Sequence, residues 1–411
     1  MNECIDISLF HKNQIHSRKF SDILGRYYTP ITIAEILCEK LGVFENCSVL
    51  DLGCGSGNLI IGSLKYWNNC NYHAYDIDIK AINILKSLCL ENIHFYNVDI
   101  VNENIDNKYF DIAITNPPYI YLSKEKISAS LDKNTQLENE IFKLNKIPVP
   151  LIFLTKALKS VKTDGDIGII LPNGILTNQK YQTIRNILIN SYQVTSIIRL
   201  EPYAFDKTET YAHILIIKNT KPLTEYNINF YLLKDYKLVD HQLKSNQEID
   251  NRLDFRKGDV IRSELKLGKY INSISRGRES SKFIKDNPSY KIFHTTDFGD
   301  SNNKYIPNQF AVKKPTLCNF AKKGDILIAR VGRDFYKKIK IVRNNFIQIS
   351  DSIIVIRPVE NHTNLIYNYL KSDFGQEQLK VQSQGTGAKY ITHNHILDLP
   401  LIENMENFDD F

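Results

Sequence analysis

The stretch SVLDLGCGSGN, residues 48–58, joins a strand pattern to a helical pattern through a loop that holds Gly53, Gly55 and Gly57. Glycines at such a turn permit positive φ angles and let a ligand approach the backbone closely. Further apolar runs of strand type follow at 71–76, 93–98, 109–115, 167–172, 194–200 and 213–219. Helical patterns separate most of these runs, and the last two suit an antiparallel hairpin at the sheet edge. This alternation predicts an α/β fold with a mostly parallel sheet that binds ligands at its carboxyl edge.

Length and composition bound the class of protein. A chain of 411 residues with 43% hydrophobic and 24% charged residues predicts a globular protein of two domains. No apolar run is long enough to span a membrane, and no secretory signal is recognised at the N-terminus, so we expect a cytoplasmic protein. The seven cysteines form no C-x-x-C pair, which favours reduced thiols and predicts no metal site.

The strand–helix rhythm and the charge both change along the chain. Past about residue 225 the rhythm is lost, and the polar segment 234–251 is typical of a linker. We therefore predict one domain over 1–238 and a mixed α+β domain over 239–411. Residues 221–411 carry 30 Lys and Arg against 23 Asp and Glu, and 313–343 alone has ten basic and two acidic residues. This excess indicates either a polyanionic partner or, equally on charge alone, a solvated lysine-rich face.

Three acidic residues follow the first three strands of the predicted sheet. Asp51 ends the first strand, Asp76 ends the second, and Asp99 follows the third. Carboxylates beside a glycine loop repel a pyrophosphate, but they can accept hydrogen bonds from ribose hydroxyls and an exocyclic amine. The three acids, Gly53 and Gly55 therefore favour S-adenosylmethionine (SAM), which has a ribose, an adenine and a cationic centre. The alternative is that each Asp caps the helix after its strand.

The segment TNPPYI, residues 115–120, ends the fourth strand of the predicted sheet. Neither Pro117 nor Pro118 can donate a backbone N–H, so the strand stops there. Asn116 is thereby presented at the carboxyl edge, beside the glycine loop.

The glycine loop, TNPPYI and the upstream GRYYTP (25–30) together resemble the gamma class of N6-adenine DNA methyltransferases over about residues 20–220. The resemblance implies a Rossmann-like, mostly parallel seven-stranded SAM-dependent methyltransferase domain. Two acceptors would hold the adenine amino group: the Asn116 side-chain oxygen, which would also lie against SAM, and the Pro117 carbonyl. Tyr119 would stack on a flipped-out base.

Two further roles rest on the same resemblance. Phe205 corresponds to the second stacking aromatic, although Tyr203 is a rival and a core position is the alternative for Phe205. Thr29 would help close the SAM site. Thr29 and Pro30 also suit a plain helix start, with Thr29 as N-cap. Phe153 is placed where it can pack against the SAM adenine, although a core role is favoured.

The second domain would then bind DNA. Segments 324–333 and 385–401 resemble parts of restriction–modification recognition domains. The basic window also includes Lys340 and Arg343, and the residues predicted to bind DNA are Lys322, Lys323, Arg330, Arg333, Lys337 and Lys338. The predicted partner is double-stranded DNA, with no membrane and a monomeric protein, either paired with a separate cognate restriction endonuclease or solitary.

Three alternatives remain open. A protein glutamine-N5 methyltransferase shares N-P-P-Y, because an amide nitrogen is an equally poor nucleophile, but it needs no basic second domain. An N4-cytosine DNA methyltransferase more often has Ser in place of Asn116. A recognition subunit without catalysis would not need both an intact glycine loop and N-P-P-Y.

Overall fold

The structure is a computed structural model that describes residues 29–105, 107–127, 134–201, 205, 211–249, 252–255, 263, 265–299, 303–316, 319–385 and 388–401. It divides into two compact units, of which unit 1 ends at Phe255 and unit 2 begins at Arg256. Within the described residues, none of the helices combines the length and the apolar character that a membrane span requires.

Unit 1 alternates strands and helices over most of its length. Its strands are β1 (Phe44–Glu45), β2 (Ser48–Leu52), β3 (Trp67–Asn68), β4 (Asn71–Asp76), β5 (Ile93–Asn97), β6 (Phe110–Thr115), β7 (Tyr121–Ser123), β8 (Lys146–Pro148), β9 (Val161–Pro172), β10 (Gln193–Arg199), β11 (Ala212–Lys218), β12 (Asn227–Lys234) and β13 (Lys237–Ser245). Its α-helices are α1 (Ile31–Leu41), α2 (Asn58–Ser63), α3 (Ile79–Lys86), α4 (Gln136–Phe142), α5 (Val149–Ser160), α6 (Asn173–Thr177) and α7 (Gln182–Ser191).

One large sheet organises unit 1. Among the described residues it has nine strands in the order β13–β12–β10–β11–β9–β6–β2–β4–β5. The run from β9 to β5 is parallel, while β11 is antiparallel to both of its neighbours. Successive residues of β2 enter different apolar clusters, with Val49 in one and Leu50 in the other. Both faces of the sheet are therefore buried, as expected for a sheet with helices on each side.

The predicted α/β methyltransferase fold is confirmed, but the sheet has nine strands in the described residues where seven were predicted, and three details differ as well. The predicted hairpin of β10 and β11 exists, but it lies inside the sheet because β12 pairs with β10 on its other side. The segment predicted to be a linker instead forms the end of β12, a turn and β13. Asp235 and Tyr236 occupy the turn, both with positive φ (48° and 56°), as in tight β-hairpins. Because β13 belongs to this sheet, unit 1 extends to Phe255 and ends later than the predicted boundary at residue 238.

Unit 2 is built from short strands and few helices. Its strands are β14 (Ile271–Arg276), β15 (Ile292–Phe293), β16 (Ala311–Val312), β17 (Phe320–Lys322), β18 (Ile326–Ala329), β19 (Ile339–Ile341), β20 (Phe346–Ile349) and β21 (Ile353–Pro358). Its α-helices are α8 (Ser281–Asp286), α9 (Thr363–Lys371), α10 (Asp373–Gln382) and α11 (His393–Leu397). In the described part, one sheet has the order β14–β21–β18–β19, and a second groups β15, β16 and β17 around β20. Unit 2 is thus a mixed α+β domain with its own apolar core.

His213 in β11 makes the stability of unit 1 sensitive to acid. The side chain is completely buried, and neither ring nitrogen has a hydrogen-bond partner among the described residues. Burial lowers the pKa of the imidazole to about 3, a shift that the nearby Asp254 carboxylate opposes. The unfolded histidine has a pKa of about 6.5, so between the two values the unfolded chain binds the extra proton.

We therefore expect the free energy of unfolding to fall as pH drops from about 6.5 towards 3. Replacement of His213 by leucine should remove a large part of this decline. Urea unfolding of both proteins at pH 7 and pH 5 measures it. An equal decline in the two proteins would contradict the assignment to His213.

Candidate active site

The glycine loop between β2 and α2 is held in place by β4. The backbone N–H groups of Gly53 and Cys54 both donate to the carbonyl oxygen of Tyr75, at 2.8 and 2.9 Å. The N–H of Gly55 donates to Oδ2 of Asp76 at 2.8 Å. The loop is therefore fixed at the carboxyl edge of the sheet by the last two residues of β4.

Two positions of the loop favour glycine because the backbone has a positive φ angle and a side chain lies close by. A Cβ atom on Gly53 would lie 3.2 Å from the Phe153 ring, and Gly53 has a φ of 72°. A Cβ atom on Gly57 would lie 2.3 Å from Leu85, with a φ of 87°. Larger residues at these two positions would strain the backbone and move the loop.

The three predicted acids occupy different environments. Asp76 accepts from the N–H groups of Gly55 and Asp78, both at 2.8 Å. Asp99 accepts from the N–H of Val101 at 3.0 Å and the side-chain amide of Asn102 at 2.8 Å. Both acids line the cavity described below. They therefore hold their own loops while presenting carboxylates to a ligand.

Asp51 differs from the other two acids. It is completely buried, lies beside Ala74 and Ile114 in the sheet register, and is not among the residues that line the cavity. The alternation of side chains along β2 places it in the same layer as these apolar residues. Burial, followed by repulsion from the Asp76 carboxylate, raises its pKa well above the usual value. Asp51 is therefore not part of the cavity lining, and its predicted contact with a cofactor stays a prediction.

Thr29 connects the candidate catalytic amide to the glycine-loop helix. Nδ2 of Asn116 donates to Oγ1 of Thr29 at 3.0 Å. The carbonyl oxygen of Thr29 accepts from Nδ2 of Asn58, the first residue of α2, at 2.6 Å. The predicted N-cap role of Thr29 is wrong, since α1 begins at Ile31 with Pro30 as N-cap and no side-chain cap. Residues 25–28 of the GRYYTP motif lie outside the described residues.

The predicted base-stacking aromatics lie in and against one apolar cluster. Phe205 is a buried member of this cluster, with 3% of its side chain exposed, and the half-buried Tyr119 packs against it. Tyr203 lies outside the described residues. Pro117, whose carbonyl is a predicted acceptor, is buried, and Pro118 lines the cavity.

A cavity of about 280 Å³ lies at the carboxyl edge of the sheet in unit 1. It brings together six of the predicted cofactor-binding residues, namely Thr29, Gly53, Gly55, Asp76, Asp99 and Asn116. Phe153 is buried, as expected for a core role, and it also lines this cavity, while its packing against the SAM adenine stays a prediction.

Sequence reasoning missed several residues that line this cavity. They are Cys54, Ser56, Asn58, Leu59, Ile77, Ile100, Val101, Asn102, Pro118, Ile120, Leu122, Lys126 and Val149. Ile77, Ile100 and Val101 directly follow Asp76 and Asp99, so their position after a predicted strand end was the available signal. Lys126 and Val149 come from segments with no motif, and only the fold brings them there.

The basic window of unit 2 divides into exposed and internally used side chains. Lys322, Lys323, Arg333, Lys337 and Arg343 are exposed, and Arg330 is half-buried. Lys340, another basic residue of the window, is only 2% exposed and its ammonium donates to the carbonyl of Asn303, so it serves the interior of the unit. Nζ of Lys338 donates to the carbonyl of Thr295 at 2.9 Å.

Comparison with known proteins agrees with this geometry. The family model for N-6 DNA methylases matches residues 16–262. The modification methylase CviBIII of Paramecium bursaria Chlorella virus NC1A is 25% identical over 87% of this chain and 89% of its own length. The methylase subunit of the type I restriction enzyme MpnII of Mycoplasma pneumoniae is 26% identical over 62% of this chain and 54% of its own length. The fold is also similar to that of the type IIG restriction endonuclease BpuSI, with a TM-score of 0.50 and 14% identity, over 95% of this chain and 62% of that one.

Proposed function

The chain belongs to the N-6 DNA methylase family, and we propose that it transfers a methyl group from SAM to N6 of an adenine in double-stranded DNA. The observation that supports this most is the hydrogen bond that joins Asn116 of the N-P-P-Y segment to Thr29, at the edge of the cavity formed by the glycine loop. The modification methylase and the methylase subunit among the relatives support DNA as the substrate.

The cavity suits SAM in its shape and its chemistry. Gly53 and Gly55 line the cavity without a side chain, which leaves their backbone open to a ligand, and the Phe153 ring lies close to Gly53 on the same cavity wall. Asp76 and Asp99 offer acceptors for ribose hydroxyls and an exocyclic amine, while Ile77 and Ile100 add apolar contact area. When bound, SAM supplies a methyl group on a positively charged sulfur. The acidic, largely apolar lining suits this cation better than it suits a pyrophosphate.

The chemistry of the target nitrogen explains the N-P-P-Y segment. The lone pair of an exocyclic adenine amine is delocalised into the ring, so the nitrogen is a poor nucleophile. In the proposed mechanism the two N–H groups of the adenine amine donate hydrogen bonds, one to the Asn116 side-chain oxygen and one to the Pro117 carbonyl. This draws the nitrogen towards tetrahedral geometry and directs its lone pair into the cavity. The contribution of the protein is alignment and electrostatic stabilisation, and no covalent intermediate on the chain is needed.

The target base must leave the duplex to reach this site. Flipping costs a few kcal/mol, and stacking on an aromatic side chain offsets roughly 1–3 kcal/mol of it. Tyr119 and Phe205 are the proposed stacking residues. Because Phe205 is buried here, its proposed role requires the ring to be uncovered when DNA binds.

Unit 2 is proposed to position the duplex. The exposed Lys322, Lys323, Arg333 and Lys337 would contact phosphates, which fixes the register of the protein without reading sequence. A separate restriction endonuclease is the proposed biological partner, and a relative that is the methylase subunit of a type I restriction enzyme supports this proposal.

Incubation of the full chain with SAM and unmodified genomic DNA, followed by modification-sensitive sequencing, tests the proposed function. We expect 6-methyladenine in one short sequence context. Modified cytosine would favour the N4-cytosine alternative. A parallel incubation of the chain with SAM and a protein substrate tests the glutamine alternative, which methylated glutamine would favour. DNA that carries no 6-methyladenine would overturn the proposal.

A further inference from the structure

Unit 2 contains a turn, Ser350–Ser352 between β20 and β21, to which two arginine-bearing segments are fastened by their backbones. The N–H of Asp351 donates to the carbonyl of Glu279 at 3.0 Å, which attaches the segment that follows β14. The N–H of Arg330 donates to the carbonyl of Ser352 at 2.8 Å, which attaches the segment that follows β18. Ser350 and Ser352 are buried, so the Ser350–Ser352 turn is a rigid part of the unit.

Gly277 sets how closely the first segment approaches the turn. A Cβ atom at this position would lie 2.2 Å from the carbonyl oxygen of Ser350 and 2.3 Å from that of Ile349. Since no side chain fits there, the flanking Arg276 and Arg278 are held beside the turn with little freedom in their backbone. Both arginines are exposed.

Arg330 is held by its side chain as well as by its backbone. Its Nε donates to the carbonyl of Asp351 at 3.1 Å, which orients the guanidinium plane. Its own carbonyl accepts from the N–H of Ile391 at 2.9 Å, which brings the start of α11 alongside. The terminal nitrogens of the guanidinium make no ion pair among the described residues.

The start of α11 completes a cationic cluster. α11 contacts β14, and the pKa of His393 is lowered by burial and then by the charges of Arg276 and Arg330. His393 therefore lies near both arginines. Within the described residues none of the three side chains is paired with a carboxylate, whereas Arg357 makes two bonds to Asp325 at 2.9 and 2.8 Å.

A cluster of guanidinium groups that makes no ion pair among the described residues, with the Arg330 plane held by a backbone carbonyl, suits a partner that offers pairs of acceptors. In DNA, such pairs are found on phosphates and on the O6 and N7 edge of guanine in the major groove. Flexible, exposed lysines suffice for phosphates, whereas a bidentate contact to guanine benefits from an oriented arginine plane. The Ser350–Ser352 turn orients the Arg330 guanidinium through its Nε, and it holds the backbone at Gly277, next to Arg276.

We propose that Arg330, whose guanidinium is oriented by the Ser350–Ser352 turn, and Arg276, whose backbone is held beside that turn, read guanine within the DNA sequence that this protein recognises. This inference rests on the proposed function and assigns the base-reading residues that the sequence leaves open. It also separates base reading from the phosphate contacts proposed for the exposed lysines.

The test compares Arg276→Gln and Arg330→Gln with wild type and with Lys285→Gln, a charge-matched control on the exposed surface of α8. Each full-length protein selects duplexes from a randomised library without SAM, and the bound DNA is sequenced. The same library is then methylated with SAM and sequenced for modified bases. The binding arm reports on the arginines even if no methyl transfer occurs, so failure of the proposed function is distinguishable from failure of this inference.

We expect each arginine variant to lose about 5- to 150-fold of the preference for guanine at one position, with other positions unchanged. Arg276→Lys should lose most of it too, because an ammonium cannot make the bidentate contact. SAM affinity and the midpoint of thermal unfolding should stay at wild-type values, and Lys285→Gln should keep full preference. Uniform weakening across all sequences, with the salt slope reduced by about one, would mean a phosphate contact and overturn the inference. An unchanged preference, or a recognised sequence without guanine, would overturn it as well.

Discussion

Replacement of Asn116 by alanine is expected to lower the rate of methyl transfer by about 10²–10³-fold, the loss typical when one preorganised group aimed at the reacting atoms is removed. The alanine variant lacks the side-chain oxygen proposed to accept from the adenine amino group. The Gly53, Asp76 and Phe153 contacts of the cavity do not depend on Asn116, so SAM affinity should remain nearly unchanged. Single-turnover methylation of a DNA duplex at saturating SAM measures the rate.

Asn116→Asp provides the graded comparison for this position. Aspartate keeps an acceptor for the amino group but cannot donate to Oγ1 of Thr29 as the amide does. We expect its rate to lie between those of wild type and the alanine variant. Near-normal turnover by Asn116→Ala would refute the acceptor role of this side chain.

Asp76→Ala is expected to weaken SAM binding by about 10- to 150-fold, the range for loss of a hydrogen bond to a charged group. Asp76 holds the N–H of Gly55 and lines the cavity, so the substitution removes both a support of the glycine loop and a ligand contact. Isothermal titration of the full chain with SAM measures the affinity.

Asp78→Ala separates this effect from general destabilisation. Asp78 caps α3 by accepting from the N–H of Lys80 at 2.9 Å, and it does not line the cavity. Loss of a cap costs about 0.5–2 kcal/mol of stability, but SAM affinity should be retained. Equal SAM affinity of the Asp76→Ala variant and the wild-type protein would show that neither the loop nor the ligand needs this carboxylate.

Local chemistry explains why most of the fold and part of the site were predictable from sequence. The glycine loop, the acids after β4 and β5, and the prolines after β6 are each signalled within a few residues. Parallel strands bring their carboxyl ends to one edge, so Asp76, Asp99 and Asn116 meet without further information.

The remaining features depend on contacts that no short segment contains. The β13 segment is polar because it is the outermost strand of the sheet in the described residues, and a polar edge strand resembles a linker in sequence. Side chains alternate between the two faces of the sheet along β2. The direction of the Asp51 side chain therefore depends on which face packs against the apolar cluster that contains Val49. The internal use of Lys340 depends on Asn303, which lies 37 residues away in the chain.

The two hydrogen bonds of Thr29 imply a thermodynamic linkage between cofactor and target. Its hydroxyl orients Asn116, while its carbonyl holds the first residue of α2, and both partners border the same cavity. Any ligand that favours one arrangement of this residue must favour the matching orientation of the amide by the same free energy. In the proposed mechanism we therefore expect occupation of the cavity by SAM and the orientation of Asn116 towards the adenine amine to be coupled through Thr29.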